Sequence, residues 1–295
     1  MSVLPSTPVL GRSTPWRRSV TTVSQESDGA WVGSMPEAYE RWLARAVFRP
    51  FAVDLAGRVR QLAPGRVLEL AAGTGVLTRE LLASGPSVEV TATDLNTAMV
   101  DFGRRRAAGA RWQQADAQDL PFDDASFDVV ACQFGVMFFP HKPKAFSEAR
   151  RVLLPDGRFL FSTWGPIEAN DFASALDAGV RRALPDDPPM FIAVPHGYAD
   201  LDVVAADLAG SGFDCVAAET ITLEGGAESA RDVAMGFCTG TPLRFTLERH
   251  GDVPGAIAII VDEMKARLGR GEVLGRMTAH IVDAALFSAP PAGGG

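Results

Sequence analysis

No run of about 18 uncharged apolar residues occurs in this chain, so no helix is expected to cross a membrane. Cysteine is scarce: Cys132, Cys215 and Cys238 are odd in number and show no CxxC spacing. That argues against both a disulfide framework and a zinc site. The 4 histidines fall into no metal-ligand spacing, so no metal is expected. Basic residues are outnumbered, and a net charge of −8 disfavours a nucleic-acid partner, which needs a basic face. The Arg runs 104–106 and 150–151 read instead as solvated faces or charges at helix C-termini. Acids are missing before Glu26, and the Ser/Thr-rich stretch 1–30 reads as a disordered extension rather than a transit peptide. The Pro/Ala/Gly residues 289–295 form a flexible tail. What is left, residues 31–288, has the composition of one globular domain, expected in the cytoplasm.

The most informative stretch is 67–81: an apolar run broken by Glu69, a Gly73-Thr74-Gly75 turn, then helically spaced apolar residues. It predicts a buried strand, a tight loop and a helix, the first βα unit of a doubly wound fold. The glycines permit a sharp turn and close approach of a ligand to main-chain atoms. The loop's omissions narrow the ligand. A dinucleotide fingerprint would carry a third glycine where Thr78 stands, and a P-loop would continue with Gly-Lys-Ser/Thr. Glu69, beside a loop without a phosphate-binding lysine, suits a ligand that carries positive charge.

The segment Leu68-Glu69-Leu70-Ala71-Ala72-Gly73-Thr74-Gly75 resembles the first motif of class I S-adenosylmethionine-dependent methyltransferases. Later motifs follow in register. A β-branched strand ends at Asp94-Leu95, about 20 residues beyond the turn, where a carboxylate is placed to accept from both ribose hydroxyls. Asp116-Ala117-x-x-Leu-Pro-Phe resembles the third motif, and 126–134 with 135–140 the fourth, of the type 11 small-molecule branch related to quinone-biosynthesis C-methyltransferases. The resemblance implies a Rossmann-like doubly wound α/β sheet of seven strands, order 3-2-1-4-5-7-6 with strand seven antiparallel. Helical insertions at about 166–212 and 226–275 would lie over the carboxyl edge. It also implies S-adenosyl-L-methionine as cofactor, bound by Tyr39, Glu69, Ala71, Gly73, Gly75, Asp94, Leu95, Met99, Asp116, Ala117 and Gln133. The partner would be a small-molecule acceptor, aromatic or apolar because of the run 136–139.

Ser34, Pro36 and Glu37 predict a capping box opening an N-terminal helix, with Tyr39, Trp42, Leu43, Val47 and Phe48 at helical spacing. That helix would pack on the core or close over the cofactor through Tyr39. His141, after the fourth motif, is a candidate base for the acceptor proton, as is His196 in the Pro-rich loop. Two other readings remain: a nicotinamide oxidoreductase, and a non-catalytic cofactor-binding protein on the same fold.

Overall fold

The structure is a computed structural model and describes residues 33–83, 85, 88–186 and 192–287. The expected extension 1–30 and tail 289–295 lie outside the described residues.

Seven strands form one sheet: β1 (Arg66–Glu69), β2 (Glu89–Asp94), β3 (Arg111–Gln114), β4 (Phe127–Gln133), β5 (Leu153–Trp164), β6 (Phe213–Ala227) and β7 (Val273–Leu286). Their order is β3-β2-β1-β4-β5-β7-β6. The pairs along β3-β2-β1-β4-β5 are parallel, and β7 runs antiparallel to both β5 and β6. The order expected from the motifs is the order found.

A parallel sheet is covered on both faces, which is why β4 is apolar almost without interruption. Alternate residues go to opposite faces. Val67, Val129, Ala131 and Leu160 pack on one side with Leu55, Val59, Leu77 and Leu81 of helices α2 (Arg49–Gln61) and α3 (Val76–Leu82). Leu68, Val130, Cys132, Phe159 and Phe161 pack on the other, against Phe146 and Ala149. Those two residues belong to α5 (Lys142–Val152), which follows α4 (Thr97–Arg106). Phe146 meets Phe159 edge-on, with ring centroids 5.4 Å apart. Each such fully buried ring contributes about 1.5–3 kcal/mol relative to exposure, so this cluster anchors the strands that carry the site. Arg151, at the end of α5, holds the loop before β4 in place: it donates to the Leu120 and Phe122 carbonyls and to Glu148 and Asp124.

The N-terminal helix starts as expected but without the capping box. The α1 helix (Met35–Tyr39) has Ser34 at φ −88°, ψ 9°, and no side-chain cap hydrogen bond. An N-cap hydroxyl reaches the helix amides from an extended backbone, which Ser34 does not have. Beyond α1 the chain winds more widely, as a nine-residue π-helix (Glu40–Phe48), before entering α2. Glycines seat this segment. A Cβ on Gly225 of β6 would overlap the Ala46 carbonyl oxygen, and one on Gly236 would press on Leu43 and Trp42.

The remaining helices are α6 (Asp171–Ala183) and α7 (Leu201–Gly210), between β5 and β6, and α8 (Ala230–Gly240), α9 (Leu243–His250) and α10 (Val253–Leu268), between β6 and β7. Gly179 lets α6 lie against α10, since its Cβ would stand 3.0 Å from the Ile260 Cα. The pairing of β6 with β7 continues through Gly225↔Gly275 to Ala227↔Val273.

Candidate active site

The turn after β1 is built from backbone. Leu70 N–H donates to the Ala131 carbonyl at 2.8 Å and Ala72 N–H to the Thr93 carbonyl at 2.9 Å, so the chain is stitched to β4 and β2 as it leaves the sheet. Between them Ala71 takes φ +52°, and Gly73 and Gly75 follow at +56° and +82°. A left-handed alanine is held only where its surroundings over-determine it, and such positions gather at functional sites. Gly73 and Gly75 then do different work. A Cβ on Gly73 would meet nothing within 4 Å, whereas one on Gly75 would lie 3.0 Å from the Trp112 ring. Gly73 N–H donates to Asp94 Oδ2 at 2.8 Å, and Asn96 N–H to Asp94 Oδ1 at 2.9 Å. The carboxylate at the end of β2 is thereby fixed against the loop after β1. Dry surroundings push its pKa above the ordinary carboxylate value, while the two amides pull the other way.

A cavity of about 310 Å³ opens at this carboxyl edge. One half is lined by Ala71, Gly73, Asp94, Leu95, Met99, Asp116 and Ala117, all anticipated from the sequence. Asp116 is oriented by the Gln118 N–H, which donates to its Oδ1 at 2.8 Å. The other half is aromatic. Phe134, at φ +52° where β4 ends, stacks flat on Trp164, with centroids 3.7 Å apart and planes 4° from parallel. Phe51 meets both rings edge-on from below. Phe138 and Phe139 line the cavity, as the apolar run led one to expect, but Val136 and Met137 are core.

Tyr39 lines the cavity and stacks on Phe48 at 4.8 Å. Burial, with the Glu40 and Asp94 carboxylates nearby, holds its phenol well above the usual pKa. Gln133 also lines the cavity, and its Nε2 donates to the Phe48 carbonyl at 2.7 Å, pinning the π-helix to the sheet. A second tie joins this helix to the glycine loop. Arg79 of α3 contacts Glu40 at 2.8 Å and donates to the Thr74 carbonyl at 3.0 Å.

Three expected residues stand apart. Glu69 is 1% exposed and does not line the cavity. It shares strand parity with Val67, so its side chain turns beneath α3, where Thr78 Oγ1 donates to its Oε2 at 2.6 Å. Burial pushes its pKa up to about 8. Thr78, the residue in place of a third glycine, is therefore the partner of this acid. Gly75 packs on Trp112 rather than on the hollow. His141 is exposed at the head of α5 and does not line the cavity, though Pro140 before it does, and its N–H donates to Gln118 Oε1 at 3.2 Å. The other candidate histidine is inside. His196 lines the cavity, its Nδ1 2.8 Å from the Gly165 carbonyl oxygen. Phe172, Leu176 and Met277 line it too, and no motif singles them out in the sequence.

The glycine turn after β1, the acid at the end of β2, and the seven-stranded order with β7 antiparallel to its neighbours agree with the resemblance to class I S-adenosylmethionine-dependent methyltransferases. Residues 68–161 match the family model described as a methyltransferase domain. The chain is 39% identical over 141 residues to the ubiquinone/menaquinone biosynthesis C-methyltransferase UbiE of Brucella anthropi, an alignment covering 45% of this chain and 54% of the relative. It thus spans about half the length of the curated relatives it matches. Among solved structures, a phosphoethanolamine N-methyltransferase 2 of Haemonchus contortus, in complex with S-adenosylhomocysteine, superposes with a TM-score of 0.55 at 15% identity. That superposition covers 92% of this chain and 60% of the other. The cyclase SpnF superposes with the same score at 17% identity over 92% and 97% of the two chains. At these identities the likeness is one of fold.

Proposed function

We propose that this chain transfers a methyl group from S-adenosylmethionine to a small-molecule acceptor. The observation that carries the reading is the charge of the cavity lining. It holds the two carboxylates Asp94 and Asp116 and, among the described residues, no lysine or arginine. A nucleotide phosphate would find no cationic partner there, whereas a nucleoside with a positive sulfur and an ammonium would. The residues fit such a group. Gly73 leaves open space where a side chain would stand, and each Asp94 oxygen keeps acceptor capacity after its one amide donor.

In this reading Asp94 accepts from the ribose hydroxyls and Asp116 from the adenine amine, with the Ala117 N–H beside the ring. Leu95 and Met99 flank the base, main-chain atoms of Ala71 and Gly73 meet the amino-acid end, and Tyr39 and Gln133 close the site from the lid side. S-adenosylmethionine supplies an electrophilic methyl on sulfur when bound. The chain's contribution is alignment in a dry pocket: the Phe134 and Trp164 rings and the lid exclude water and hold the acceptor in line, a proximity effect worth several orders of magnitude. The aromatic half and the UbiE relatives both favour an aromatic or apolar acceptor over a polar metabolite.

Equilibrium titration tests the assignment. S-adenosylmethionine should bind, and Asp94→Ala should weaken it by about 1–3 kcal/mol, the cost of removing a charged acceptor from hydroxyl partners. Binding of NAD in place of the sulfonium nucleoside would overturn the reading.

A further inference from the structure

We propose that His196 is the base that takes the proton from an acidic hydroxyl on a planar aromatic acceptor. The inference rests on the methyl-transfer reading above. It starts from a hydrogen bond. A backbone carbonyl can only accept, so the 2.8 Å contact between His196 Nδ1 and the Gly165 oxygen places the ring's proton on Nδ1. In the neutral ring Nε2 is then a bare lone pair, and the described residues make no hydrogen bond to it.

The other polar side chains on this side of the cavity are engaged. Asn170 Nδ2 donates to the Pro166 carbonyl at 2.9 Å, and its Oδ1 accepts from Thr278 N–H at 3.0 Å. The Thr241 hydroxyl donates to the Phe237 carbonyl at 2.6 Å, and the Gln133 amide holds Phe48. The Tyr39 phenol, held well above its usual pKa, keeps its proton, so among the described residues of this aromatic half His196 is the group with a free basic nitrogen. The charges facing it are Glu168 and Asp177, the latter paired with Arg181. Both carboxylates favour the imidazolium, as does the Gly165 carbonyl, but burial outweighs them and lowers the pKa, so the ring is neutral at pH 7. A base needs that state.

The walls set the shape of the acceptor. His196 lies 6.2 Å, centroid to centroid, from Trp164, and Trp164 continues into the flat stack with Phe134. A planar ring matches such faces by offset or edge contact. In the step, Nε2 takes the hydroxyl proton and the acceptor oxygen's electron pair forms the new bond to the methyl carbon. The carbon–sulfur bond breaks with its pair left on sulfur, which becomes a neutral thioether. The imidazolium then returns its proton to water.

The test uses the whole chain saturated with S-adenosylhomocysteine, with 4-nitrophenol as probe, read by its phenolate absorption across a pH series. Bound to the wild type, the phenol should ionise at a pH lower by about one unit, a roughly ten-fold shift in its acid constant. His196→Asn keeps a donor for the Gly165 carbonyl but has no basic nitrogen. It should lose the shift while its affinity for S-adenosylhomocysteine, measured by calorimetry, stays unchanged. An equal shift in both proteins, or no binding of 4-nitrophenol to the wild type, would overturn the role of His196. If S-adenosylhomocysteine itself fails to bind the wild type, the cofactor reading is at fault, and this proposal falls with it.

Discussion

The two halves of the cavity are made by different means. The half with Asp94 and Asp116 is assembled from strand ends and short turns, and its geometry is written in main-chain bonds: Gly73 and Asn96 amides on one carboxylate, the Gln118 amide on the other. The half with Trp164 is assembled from side chains that arrive from far apart, Phe48 from the π-helix, Phe134 from β4, Phe172 from α6 and Met277 from β7. A site made of backbone constrains which residues can occupy each turn, and so leaves a local pattern in the chain. A site made of side chains constrains only their sum of volume and shape, which many combinations satisfy.

The sharpest way to break the second half is Gly225→Ala. Its Cβ would overlap the Ala46 carbonyl and force the π-helix off the sheet. An overpacked contact against backbone should cost about 3 kcal/mol or more in urea unfolding. Gly210→Ala, with no neighbour within 4 Å, is the control and should cost far less. A small effect at Gly225 would mean that the lid segment is loosely held and that the halves do not differ in rigidity.

Beneath the first half, outside the cavity, lies a pH dependence. Glu69 has a folded pKa raised to about 8, against an ordinary value of 4.5. Between these the native state holds one proton more than the unfolded chain, so stability falls as pH rises. The stability is fully present below the unfolded value. It should decline by about 1.4 kcal/mol per unit across the window, or roughly 2–3 kcal/mol between pH 5 and 7. Glu69→Gln should flatten that slope in denaturant unfolding without cofactor. A wild-type profile already flat from pH 5 to 8 would show the acid to be ionised under α3.

The smallest effect belongs to His141→Ala. An exposed side chain at the head of α5 with no cap hydrogen bond should alter stability by less than about 0.5 kcal/mol and leave S-adenosylmethionine affinity unchanged. A large loss of affinity would extend the cavity to a place where the structure puts solvent.

The sequence made the first half legible for the reason just given. Asp94 announces itself by its distance from the Gly73 turn, because strand, loop and helix lengths in a βα unit leave little freedom. Glu69 illustrates the limit. Its residue type and position matched a binding motif, but strand parity sends its carboxylate to Thr78 instead of the hollow. The capping box failed on a backbone angle at Ser34, which residue identities do not fix. His196 and His141 were equals as loop histidines, and only the turn that brings His196 back to the end of β5, onto the Gly165 carbonyl, separates them.

Arg79 joins the π-helix to the glycine turn. One guanidinium grips both the Glu40 carboxylate on the lid and the Thr74 carbonyl in the glycine turn. Any displacement of the π-helix from the turn would therefore strip a donor from the Thr74 carbonyl. In the proposed site, closure of that helix over a ligand would draw the receiving loop taut through this one side chain.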